Sequence, residues 1–136
     1  FHLDALEKLV GQVFDDSVGT DVRVGRTFDT ALATATNMLV VMTYSGAATN
    51  ASVKLYVFDG TNAGAVDDTN AGSGAYVAME DQAALTYIGA REAAAGTATN
   101  FFNGSMGAIG IVSGELDANE IQIIRQLGNG YYGLTV

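Results

Sequence analysis

Close to the C-terminal end the chain reads Glu115-Leu-Asp-Ala-Asn-Glu120, three carboxylates within six residues. Two carboxylates held about 5–5.5 Å apart are the nucleophile and the acid/base of a retaining glycosidase. That chemistry needs the stretch as a strand lining a concave sheet. The same residues also spell the start of a helix. Asp117 offers a side-chain acceptor at an N-cap, and Glu120 follows at the capping-box spacing. Ile121, Ile124 and Leu127 then supply an inward face, and Gly128 is the expected stop. Glu120 leads straight into Ile-Gln-Ile-Ile, and the chain has no tryptophan to serve as a sugar platform. We therefore expect a capped helix and no enzymatic activity.

A second acidic cluster, Asp67, Asp68 and Asn70, with Asp59 nearby, carries the hard oxygen ligands that calcium takes. Counted as an EF-hand loop from Asp68 it fails, because Gly72 falls where position five wants an oxygen donor and Met79 where position twelve wants glutamate. The cluster reads either as a calcium loop or as a solvated one. Tyr56 and Phe58 share one face of a strand, where they form a sugar-stacking or protein-contact surface or else fill the face of a sheet. Asn50-Ala-Ser52 and Asn103-Gly-Ser105 match the glycosylation pattern, which matters in a eukaryotic secretory setting. Asn103-Gly104 also suits a turn.

Composition removes other chemistries. The 136 residues hold 15 acidic and 6 basic side chains, no cysteine and one histidine, His2. There is thus no disulfide framework, no thiolate nucleophile and no internal histidine for a triad or metal cluster. A net charge of −9 argues against nucleic acid or an anionic membrane surface as partner, since phosphate binding needs a basic face. The apolar runs, such as Met38–Met42, fall far short of the roughly 20 residues that cross a bilayer. Phe1 stands where an initiator methionine would, as expected of a processed product or of part of a longer chain.

These candidates need elements to position them. Leu3, Leu6, Leu9/Val10 and Val13/Phe14 recur at three- and four-residue spacing, which predicts an N-terminal helix, stopped by Asp15-Asp16 and Gly19. Residues 1–20 are read as that helix and its connector, and 21–136 as one β domain. From Asp21 the period becomes two. Val22 and Val24 alternate with Arg23 and Gly25; Met38–Tyr44 is apolar on both faces; Val53, Leu55 and Val57 face one way and Lys54, Tyr56 and Phe58 the other. Ser45–Ala51 suits a hairpin loop. Further strands are expected at Ala75–Met79, Leu85–Gly89, Met106–Val112 and Tyr131–Val136, with Gly60–Gly74 as a long low-complexity loop. Short strands at this spacing indicate an all-β sandwich or barrel.

The order of segments resembles a known family. Val-Val-Met-Thr-Tyr-Ser-Gly at Val40–Gly46 precedes Val-Lys-Leu-Tyr-Val-Phe-Asp-Gly at Val53–Gly60 and Leu-Thr-Tyr-Ile-Gly-Ala-Arg at Leu85–Arg91. Phe101–Val112 and Gly-Glu-Leu-Asp-Ala-Asn-Glu-Ile at Gly114–Ile121 follow. The series, over Thr36–Gln126, is similar to the C-terminal part of laminin-G-like, concanavalin A-like jelly-roll domains. That family has a tryptophan-histidine pair where this chain has Asn37-Met38, and Phe58 interrupts its usual Val-Asp-Gly. The resemblance implies a shortened jelly-roll sandwich with the Asp117 helix at its periphery. It also brings in the family-16 glycoside hydrolases, which share the fold and the E-x-D-x-x-E pattern, and raises calcium as a cofactor at the rim loops.

A sandwich short of strands leaves sheet edges that favour a homo-oligomer or a larger assembly. The expectation is a non-catalytic surface module, a bacteriophage capsid decoration or tail appendage at the virion surface, acting through protein contacts and host-glycan attachment. The alternative is an extracellular, lectin-like carbohydrate-binding module of an adhesin, calcium-dependent if the acidic loop holds the ion. The candidate ligand residues are Tyr56, Phe58, Asp67, Asp68 and Asn70, the last three being the calcium set.

Overall fold

The computed structural model describes residues 2–15, 17, 21–33, 36–60, 63–65, 68–79, 88–94, 97–99 and 101–132. The chain divides into two compact units, Phe1–Glu80 with Gly114–Val136, and Asp81–Ser113. The first unit carries strands β1 (His2–Leu3), β2 (Lys8–Phe14), β3 (Arg23–Ala31), β4 (Leu39–Tyr44), β5 (Val53–Phe58), β6 (Ala63–Ala65) and β7 (Asp68–Asn70), and helix α1 (Ala118–Tyr132). One antiparallel sheet has the order β1-β2-β3-β7 and the other β4-β5-β6.

Two buried clusters join the sheets. Leu9 and Phe28 of the first meet Leu55 and Val57 of the second, and Val13 and Val24 meet Val53, with Tyr76 closing the group. The opposite face of β5 is covered by the helix, where Phe58 and Ile121 are buried against Leu39, Val41 and Tyr56. The alternation read in Val53–Phe58 is thus realised, one set facing the other sheet and one facing α1. Strand β4 is apolar on both faces for the same reason: Val40 and Met42 pack between the sheets, Leu39 and Val41 beneath the helix.

The N-terminal helix expected over Leu3–Phe14 does not form; β1 and β2 stand there, with His2 opposite Val10 and Leu3 opposite Leu9. A tight turn joins them. The Asp4 carboxylate accepts from the Leu6 and Lys8 amides at 2.8 and 3.0 Å, and Glu7 takes a positive φ of 61°. The inward positions of β2 are Leu9, Gly11 and Val13, and the glycine hides their period of two. A methyl on Gly11 would stand 2.6 Å from Leu55 Cδ2 and 2.9 Å from Met42 Sδ. The strand needs a residue without a side chain where Leu55 crosses it. Gly11→Ala is expected to cost about 1–3 kcal/mol through overpacking, read as a lower urea midpoint with an unchanged slope.

Other elements also differ from expectation. Within Gly60–Gly74, β6 pairs with β5 and β7 with β3; their small and polar residues carry no hydrophobic period to announce them. Ala75–Met79 is not a strand, because its amides are taken by a side chain: Val77 and Ala78 donate to Asp15 Oδ2 at 2.9 and 3.2 Å. Helix α1 continues past Gly128 to Tyr132, so Tyr131 and Tyr132 are helical and 133–136 lie outside the described residues. Gly128 is buried against the unit, and that packing overrides its low helix propensity.

Among its described residues the second unit holds one antiparallel pair, β8 (Arg91–Ala94) and β9 (Thr97–Thr99). Of the expected Leu85–Gly89 strand, 85–87 lie outside the described residues and Ile88 and Gly89 form a bend. Met106–Val112 is irregular and exposed. Gly107 and Gly110 interrupt its apolar residues and weaken it as a strand.

Candidate functional site

The acidic hexapeptide is occupied by structure. Asp117 Oδ1 accepts from the Asn119 and Glu120 amides at 2.7 and 2.9 Å, and Glu120 Oε2 accepts from the Asp117 amide at 2.8 Å. This is the reciprocal capping box that the spacing predicts, and it fixes where α1 starts. Glu115 Oε1 accepts from Lys54 Nζ at 2.8 Å. That hydrogen bond, helped by the carboxylate's charge, holds the Lys54 ammonium above its usual range. Both groups are substantially solvated, so the pair contributes no more than about 1 kcal/mol. Its role is to tie the segment before α1 to β5. Asp117→Ala is expected to cost about 0.5–2 kcal/mol, measured as lost thermal stability with helical circular dichroism reduced first.

Of the residues singled out as ligand candidates, Tyr56 and Phe58 share one cluster, which is packed beneath α1. Phe58 has no exposed surface; Ile121 packs on it and the Arg125 guanidinium lies 5.3 Å from its ring centre. It therefore offers no face to a sugar. Tyr56 is half-buried in the same cluster. Asn70 is exposed at the end of β7. Asp68 pairs through its backbone with Phe28, and Asp67 lies outside the described residues. Among the described residues no three acidic or histidine side chains are grouped to hold a metal.

An open depression of about 280 Å³ lies where β3 meets residues 48–50 and 72–76. Arg23, Asn50 and Tyr76 of its lining are engaged in the scaffold. Asn50 Oδ1 accepts from the Gly25 amide at 2.9 Å, Arg23 Nε donates to the Ala71 carbonyl at 3.3 Å, and the Arg23 guanidinium pairs with Asp21. Tyr76 exchanges a hydroxyl hydrogen bond with Tyr44 at 2.8 Å.

No family model, curated protein or solved structure matches this chain. Function has to be read from its own surface, and what stands out there is apolar. In the second unit Phe101 is 72 % exposed and Ile111 89 %, with Phe102, Met106, Ile109 and Val112 also exposed. Between Glu92 and Glu115 the sequence has no ionisable side chain, in a chain whose net charge is −9. In the first unit Ile123, Leu127 and Tyr131 form an i, i+4, i+8 stripe on α1, turned away from the buried Ile121, so Leu127 is exposed and does not join the inward face its spacing predicts. Reading by strand period assigns the Met106–Val112 side chains to a sheet and so conceals that they are exposed.

Proposed function

We propose that this chain is a non-catalytic surface module, a shortened jelly-roll sandwich that acts by contact with copies of itself in a larger assembly. The virion surface of a bacteriophage, as a capsid decoration or tail appendage, is the setting we favour. One observation carries the proposal: the apolar side chains of residues 101–112 are exposed, and they lie in an uncharged span of an acidic chain. Exposed contiguous apolar surface marks interaction sites on soluble proteins. Acidic side chains elsewhere keep such a module soluble and oppose association except where charge is absent. The two sheets sharing buried clusters, with α1 as an outer layer, support the sandwich architecture. Support for a non-catalytic role comes from the capping box and the Lys54 pair, which occupy the three carboxylates best spaced for chemistry.

Light scattering across a concentration series tests the proposal. We expect a species larger than one chain, dissociated by Ile111→Asp with the circular dichroism spectrum unchanged, since this side chain is 89 % exposed. A compact monomer at every concentration overturns it.

A further inference from the structure

The chain contains two Asn-Gly pairs, Asn103-Gly104 and Asn129-Gly130, and the fold treats them differently. Asn103 and Gly104 are exposed in the irregular segment of the second unit. The segment is anchored just before them by the Phe102 amide, which donates to the Gly89 carbonyl at 2.7 Å. Asn129 and Gly130 lie inside α1, with Asn129 half-buried. Helical dihedrals fix the Gly130 nitrogen in the backbone ladder and away from the Asn129 side chain.

We propose that Asn103 is a site of spontaneous deamidation, which places a carboxylate in the uncharged span. The Gly104 backbone nitrogen attacks Cγ of Asn103 and loses its proton. The new C–N bond closes a five-membered succinimide, and the side-chain amide leaves as ammonia. Water then opens the ring at one or other carbonyl, giving aspartate or isoaspartate. Atoms balance with one water consumed and one ammonia released, and water is the sole co-reactant. Two features favour the step. Gly104 brings no Cβ to obstruct the approach, and the exposed irregular backbone is free to reach the cyclic geometry. The Phe102 ring crowds only the side glycine leaves open, where a Cβ would lie 2.7 Å from its edge. The product is the first ionisable group between Glu92 and Glu115. Resting on the assembly reading above, it weakens association as the protein ages.

The whole chain held at mildly alkaline pH, digested and mapped by mass, tests this directly. Asn103 is expected to convert to aspartate and isoaspartate, while Asn129 converts at least roughly tenfold more slowly because its helix must open first. In denaturant the two should convert at similar rates. An unchanged Asn103, or native rates that match at the two sites, overturns the site. Asn103→Asp, compared with wild type by light scattering, should dissociate at lower dilution. Equal association overturns the effect on assembly and leaves the chemistry standing. A wild type that is monomeric throughout overturns the assembly reading, while the mass map still decides the deamidation.

Discussion

Phe58→Ala should leave a chain that is barely folded. Phe58 is the largest side chain with no exposed surface, and it is the floor on which Ile121 sits. Truncating such a residue costs about 3–5 kcal/mol in lost transfer and residual cavity. That is a large part of the roughly 5–15 kcal/mol that holds a domain of ordinary size together. The loss should appear as a sharply reduced urea midpoint, with the helical signal of α1 falling along with the strand signal. Tyr56→Ala, at a half-exposed position of the same cluster, should cost less. A Phe58→Ala protein of wild-type stability would refute the three-layer packing of helix, β5 and first sheet.

Asp15 is expected to be the most acid-sensitive point of the structure. It is fully buried at the end of β2, and its carboxylate accepts from the amides of Val77 and Ala78 and from the amide and hydroxyl of Ser17. The Val77 amide chiefly holds the carboxyl below its ordinary value of 3.8, against burial, which pushes it upward. Asp4, bound to the Lys8 amide, is lowered as well. A carboxyl lowered on folding stabilises fully above its ordinary value, and that stability is lost as pH falls through the folded value. Unfolding midpoints should therefore hold steady through neutral pH and drop below about pH 3.8. Asp15→Ala should destabilise at neutral pH, because it strands two amides that have no strand partner. Asp15→Asn, which keeps an oxygen acceptor, should destabilise less and flatten the acid transition. An Asp15→Asn profile identical to wild type in acid would show that other carboxyls control the transition.

Where hydrophobic period and packing agree, the sequence could be read directly. Val53–Phe58 alternates without a break because each face meets a different apolar layer, and Met38–Met42 is apolar on both faces for the same reason. The start of α1 was legible because a capping box is a local device, complete within four residues. Strand β2 was not. Gly11 removes the middle of its inward set, and what remains, Leu9/Val10 and Val13/Phe14, falls by coincidence on a helical spacing. Strands β6 and β7 were hidden because alanine, glycine, threonine and asparagine carry no period; backbone pairing with β5 and β3 creates them. The work of Asp15 was also invisible, since its amide partners lie 62 and 63 positions along the chain. Of the candidate site, the acidic hexapeptide forms the capping box that its spacing predicts. The Tyr56–Phe58 pair split into one half-buried ring and one fully buried ring.

The short pairings of β6 and β7 bear on how this protein can be engineered. Ala63–Ala65 extends one sheet and Asp68–Asn70 the other, so a few consecutive residues stitch both layers. By composition this is the stretch a protein engineer would choose for grafting an epitope or opening a permuted terminus. Lengthening it would let the two seams slip independently, and a graft there would loosen both sheets. The Ser45–Thr49 turn, whose Gly46 has open space around it, is the better place for foreign sequence.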